Sequence, residues 1–366
     1  MRLRVVLAVA VFLMIAISGC ACSKKQAEKV DETPATEVQG NASGEAQEKT
    51  SGDVQVKQDS KGVSMDWKYK NEVLIDADAE DPIDKIDELV SKGGNARVPI
   101  HFQFKVRVAE DLLGLEYILL AQAPKVTTFE ILIPPDLVKP DKEIRFNIPE
   151  GVDTRLIVTG LGDKPVPVVA ATFNIEADTV IVRNFRFDQQ EYRAALKVDV
   201  ADSFIGETLS FSGNQVEHHV EFMAQPLITL VSHAADGIYS QYLLKNVSFI
   251  NNGSVSLLQI AEPSLGKFDR IELDHVVAQN NPNMGMGIDI SAVKDVLVHD
   301  CELTGSVAAP LLYQILPTPQ VVIRNSTVSD KVYGYRPQKE HWHTDALPVI
   351  KENLKEAPGT TFDKVP

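Results

Sequence analysis

Thr179-Val180-Ile181-Val182-Arg183-Asn184-Phe185-Arg186-Phe187 carries the pattern that decides the fold. Val180 and Val182 lie two apart and share one face of an extended strand. Arg183 points the other way, Asn184 fills a polar slot, and Phe185 and Phe187 are again inward. The pattern recurs five times. Its slots are Asn184, Gly213, Asn246, His275, Asp300 and Asn325, spaced 29, 33, 29, 25 and 25 residues apart. The inward pairs before the later slots are Leu209/Phe211, Tyr242/Leu244, Ile271/Leu273, Val296/Val298 and Val321/Ile323. Val247/Phe249, Val276/Ala278, Cys301/Leu303 and Ser326/Val328 follow theirs, while the second repeat breaks at Asn214. Leu156, Val158 and Gly160 are compatible with an earlier round.

A second column of short apolar strands runs between these segments: Phe173–Ile175, Leu196–Val198, Ile228–Leu230, Leu257–Ile260, Ile288–Ile290 and Leu311–Ile315. Each period therefore holds at least two strands. One such unit cannot bury its own apolar face, but stacked units share a continuous core. Strands one period apart then pair in parallel through right-handed connections. The expected class is all-β. Over residues 140–330 the repeat resembles the right-handed parallel β-helix of the pectate-lyase type. That resemblance implies asparagine ladders, in which stacked amides bond along the axis, at the recurring Asn slots. A twisted β-sandwich is the alternative, although its strands usually recur every 8–12 residues.

The flanks are read differently. Residues 64–140 form a cap or small leading domain, 141–335 the β-helix, and 336–366 a C-terminal cap or tail. In the leading part, Asp81-Pro82 starts a short helix with Asp as N-cap, and Gly93-Gly94 ends it. His101–Val108, Leu115–Leu120 and Phe129–Ile133 are strand candidates.

The chain begins Met1-Arg2-Leu3-Arg4, and an apolar run of 13 residues follows from Val5 to Ile17. That is a signal-peptide core rather than a membrane span. It ends in Ile17-Ser18-Gly19-Cys20, which resembles the lipobox of bacterial lipoproteins. The resemblance implies cleavage before Cys20, lipidation of its thiol and acylation, such as palmitoylation, of its amine. It also implies attachment to a bilayer, with the outer membrane favoured because Ala21, not Asp, comes next. Residues 20–62 then hold the lipidated cysteine and a polar tether without aromatic residues, which cannot offset its ordering entropy. Cys22 lies on the tether. Cys301 reads as a small core residue, and no disulfide framework is expected.

Without residues 1–19 the chain carries 34 basic and 51 acidic side chains, a formal charge of −17. Nucleic acid is excluded as a partner by repulsion. No Walker loop, HExxH, GxSxG or EF-hand occurs, nor do the Asn-Thr-Asp, Asp-Asp and Gly-His-Gly set of polygalacturonase-like hydrolases or the calcium carboxylates and Arg base of pectate lyases. No cofactor and no metal is assigned. His218 and His219, and likewise His341 and His343, are the histidine pairs weighed as metal ligands. The aromatic residues Tyr333, Tyr335 and Trp342 are read as a plug for the end of the stack.

What remains is positional. The outward residue before each slot forms a column: Arg183, Ser212, Lys245, Asp274, His299 and Arg324. Neighbouring columns add Glu272 and Glu302. Stacked strands lie ~4.8 Å apart, so Asp274 and His299 become neighbours between Lys245 and Arg324. The candidate strip is Lys245, Asp274, His299, Glu302 and Arg324. An imidazole beside a carboxylate binds a sugar or moves a proton; a solvated salt-bridged strip is the plainer reading. As an exposed residue, His299 replaced by Ala is expected to cost little stability. Three functions follow: non-catalytic binding of glycan or another envelope component, a polysaccharide lyase, hydrolase or epimerase, or a structural partner in an envelope assembly.

Overall fold

The computed structural model describes residues 67–138, 142–190, 194–215, 226–234, 240–253, 256–260, 268–281, 288–289, 293–304, 311–313, 320–328, 331–334, 349–352, 355–356 and 361–363. The lipobox, the tether, both histidine pairs, Tyr335 and Trp342 lie outside them. The described residues are mostly strand, arranged in two parallel sheets of sixteen and nine strands. The helices among them are Pro82–Gly93, Ala109–Gln122 and the 3-10 turn Ala123–Lys125. This fits the all-β class and is compatible with a parallel β-helix.

The central run of the larger sheet is Arg155–Gly160, Thr179–Asp188, Ser203–Ser212, Ser240–Ile250, Phe268–Asp274, Val293–His299 and Gln320–Arg324, each pairing in parallel with the next. The nine-stranded sheet takes the intervening strands. Six of them, Thr172–Glu176, Leu196–Val200, Ile228–Ser232, Leu258–Ile260, Ile288–Asp289 and Leu311–Tyr313, cover the second apolar column. The chain thus alternates between the sheets, and each strand meets its equivalent one period away. Inward residues such as Val180, Val182, Phe185, Leu244, Leu273 and Val298 are fully buried in one core. In-register stacking brings Phe187, Phe211 and Phe249 face to face, with centroids 5.0 Å apart at both steps. Cys301 is free and buried within this core. Burial pushes its thiol up to about 12, so it packs as an inert small residue.

Strands bend where single residues take the left-handed conformation. At the slot these are Asn184, Asn246, His275, Asp300 and Asn325, with φ between 48° and 65°. In the second repeat the slot is Thr208 (φ 54°), not Gly213, because Glu207 pairs with Arg183 and Leu209 with Phe185. Gly213 belongs to a second left-handed corner shared with Gln189, Asn251 and Asn280. Glycine signals a left-handed residue without saying which corner it serves. Thr208 is the one β-branched residue at the slot, where such a side chain is strained. It is exposed, so Thr208→Asn is expected to stabilise the protein by about 1 kcal/mol. Urea denaturation measures this, and an unchanged or lower midpoint would count against strain at the corner.

The asparagine ladder also stands at the second corner rather than at the slots. Asn214, the apparent break, donates from Nδ2 to Asn252 Oδ1 (2.9 Å), and Asn252 donates in turn to Asn281 Oδ1 (3.0 Å). Gln190 ends the ladder, its N–H donating to Asn214 Oδ1 and its Nε2 to the Ala171 carbonyl. All four side chains are buried.

Strands Val73–Asp76, Ile100–Lys105 and Thr128–Ile133 are the first three of the larger sheet. The helix expected after Asp81-Pro82 is present, but Asp81 is left-handed (φ 47°) and its side chain does not cap. Leu115–Leu120, expected as a strand, lies in the helix Ala109–Gln122. Leu, Glu and Ala favour that state. The Asp111 carboxylate caps its start by accepting from the Arg107 and Val108 N–H groups, and Leu112, Leu115 and Leu119 bury one helical face. This helix packs on Glu143–Asn147, the first strand of the nine-stranded sheet. At the far end, Val349–Glu352, Lys355–Glu356 and Thr361–Asp363 pair in parallel as one further round.

Candidate functional site

The outer face of the larger sheet carries the charged column. Lys245 pairs with Asp274, Asp274 with His299, and His299 with Arg324. Arg183 precedes them through Glu207, which takes the place expected for Ser212. Ser212 sits further along its strand, between Asp188 and Ile250. Glu302 lies past the corner, paired with Val277 and Thr327, and is exposed. Asp300 is the slot residue expected from the sequence pattern, and at that corner its carboxylate stands beside His299.

His299 is the centre of this group. Its Nε2 lies 2.9 Å from Glu272 Oε1, and its Nδ1 lies 2.8 Å from Asp300 Oδ2 and 3.5 Å from Asp274 Oδ1. Its side chain is 12% exposed, against 9% for Glu272, 15% for Asp274 and 38% for Asp300. Burial opposes protonation of His299. Hydrogen bonds to Asp300 and Glu272 and the charge of Asp274 outweigh it and raise the imidazole above its ordinary pKa. The hydrogen bond to His299 in turn lowers the Asp300 carboxyl. Exposed His275, the slot residue after Asp274, is bonded through Nδ1 to Asp274 Oδ1. The expectation that His299→Ala is a neutral surface change does not hold, because the substitution would leave nearly buried Glu272 without the imidazole. With a carboxylate on each nitrogen, both ring positions of His299 are engaged within the protein and neither is turned to a substrate as a general base.

Two further networks escape the sequence pattern. Glu130, 4% exposed, accepts from Arg183 Nη2 (2.8 Å), Gln103 Nε2 (3.0 Å) and Thr159 Oγ1 (3.0 Å), and lies 3.0 Å from His101 Nε2. Burial alone would raise its pKa, but the bonds from His101, Gln103, Arg183 and Thr159 together hold it at about 2. His233 lies between Asp178 (3.5 Å) and Asp199 (2.8 Å), whose hydrogen bonds and charges raise it to about 10. These partners are 27 to 55 residues apart in the chain, so only an alignment of neighbouring periods would bring them together.

No protein-family model matches the chain, and no curated protein or solved structure matches it either. Among the described residues no helix is long and apolar enough to cross a membrane.

Proposed function

We propose that this chain is a lipid-anchored protein of the bacterial cell envelope, held by Cys20, whose folded part is a right-handed parallel β-helix. It binds a polysaccharide or another envelope component, without turnover, along the strip from Lys245 to Arg324. One observation carries the choice of binding over catalysis: both nitrogens of His299 are engaged by carboxylates beside the strip, Asp300 and Glu272. A paired strip presents charges of both signs at fixed spacing, which suits a polar chain lying across parallel strands. Lys245 and Arg324 flank the paired acids and are the cations offered to such a ligand.

The test uses the full-length chain with a panel of neutral and acidic polysaccharides. Retention on immobilised glycan measures binding, and size chromatography of the glycan measures cleavage. Retention without shortening is expected, and Lys245→Ala with Arg324→Ala should weaken it about tenfold, or about 1.4 kcal/mol. Glycan shortening that His299→Gln removes would replace this reading with an enzyme. Labelled palmitate should enter the wild-type chain and not Cys20→Ala; equal labelling of both would remove the anchor from the proposal.

A further inference from the structure

We infer that Asp274, His299 and Asp300 form a binding site for a divalent transition-metal ion of the zinc class. The inference goes beyond the glycan reading, since the ion itself is the ligand. One oxygen from each aspartate and one imidazole nitrogen all lie within 4.8 Å of one another. Two of the separations, 2.8 Å and 3.5 Å from Nδ1 to Asp300 and Asp274, bracket the ~3.3 Å edge of a tetrahedron with metal bonds of about 2.0–2.1 Å.

The surroundings supply what such a site needs. Glu272, a separate and nearly buried carboxylate, takes the Nε2 hydrogen of His299. A histidine ligand is usually oriented in this way, and the ion takes the place of the proton between Nδ1 and Asp300, which is released on binding. His275 gives Asp274 an outer partner of its own. Strand register holds Asp274 against His299, and the left-handed corner at Asp300 turns its carboxylate onto the same spot. The partly exposed Asp300 leaves an entry path and room for a fourth ligand from water or a bound oxygen group. One nitrogen with two oxygens suits zinc-class ions. Calcium takes six to eight oxygens, more than are gathered here.

The full-length chain, stripped by chelation, is titrated with Zn2+ by calorimetry and with Co2+ by visible absorption. One tight equivalent of Zn2+ is expected, together with Co2+ bands of low-symmetry N/O coordination. Ca2+ should bind at least about 100-fold more weakly. Asp300→Asn keeps a residue that tolerates the left-handed corner. It should weaken the tight equivalent at least about tenfold, and the metal-free unfolding midpoint, measured alongside, separates this from the lost pairing with His299. Glu272→Gln should weaken it less and shift the Co2+ spectrum, as a positioning residue would. Absence of a tight equivalent, or one that persists unaltered in Asp300→Asn, overturns the inference; persistence would place the ion elsewhere on the chain.

Discussion

Asn252→Ala is expected to lower stability by about 3–5 kcal/mol. Asn252 is fully buried in the middle of the ladder. Its Oδ1 accepts from the Asn214 N–H (3.2 Å) and from Asn214 Nδ2 (2.9 Å). Its Nδ2 donates to the Phe211 carbonyl and to Asn281 Oδ1, both at 3.0 Å. Alanine removes the amide and leaves two donors and a carbonyl buried beside it without this partner, at about 1–3 kcal/mol each. The Asn252 backbone N–H still donates to Asn281 Oδ1, so that end of the ladder keeps one bond. Guanidinium denaturation of wild type and variant reads the difference. A loss below about 1 kcal/mol would mean the ladder marks the corner without stabilising it.

Glu130→Ala at neutral pH should cost about 2–3 kcal/mol, because it removes the buried acceptor shared by Arg183, Gln103 and Thr159 and the partner of His101; Arg183, half-exposed, keeps its bond to Thr159. The pH profile separates the role of its charge from its packing. The carboxyl titrates at about 2 in the folded protein, below its ordinary 4.5. Above pH 4.5 it is ionised in both states and its stabilisation is fully present. As pH falls from 4.5 toward 2 the unfolded chain takes up the proton first, and the stabilisation is lost. The size of this loss is about 3 kcal/mol by linkage. Other lowered carboxyls, Glu143 and Asp153 among them, add to the acid slope. The quantity to measure is therefore wild type minus variant: that difference should shrink between pH 4.5 and 2. A constant difference would assign Glu130 a packing role alone.

The repeat was legible because burial is periodic. Val180/Val182 and Phe185/Phe187 recur with enough regularity that both strand columns follow from apolar residues alone, and all six strands of the second column lie in the nine-stranded sheet. The corners were less legible. Thr208 has no left-handed preference to announce it, Gly213 has one but serves the other corner, and Asn214 looked like an interruption although it begins the ladder. The paired residues Asn251-Asn252 and Asn280-Asn281, each a corner followed by a ladder position, were the available signal. In the leading region the short apolar run Leu115–Leu120 read as a strand, and the structure makes it part of a helix packed on Glu143–Asn147.

The charged strip divides in the same way. That Lys245, Asp274, His299 and Arg324 are consecutive neighbours follows from counting along the repeat, since each occupies the same position within its period. That Asp300 and Glu272, not Glu302, close on the imidazole depends on a left-handed corner and on which side chains reach within 3 Å. The sequence by itself therefore determined the all-β class, the alternation between two columns of strands and the order of charges along the strip, because apolar periodicity records which face must leave water. Only the tertiary structure decided which carboxylates hold His299, Glu130's partners and the place of the ladder. Hydrogen bonds and ion pairs act over a few ångströms, and that proximity is created by register and corner geometry, not by spacing along the chain.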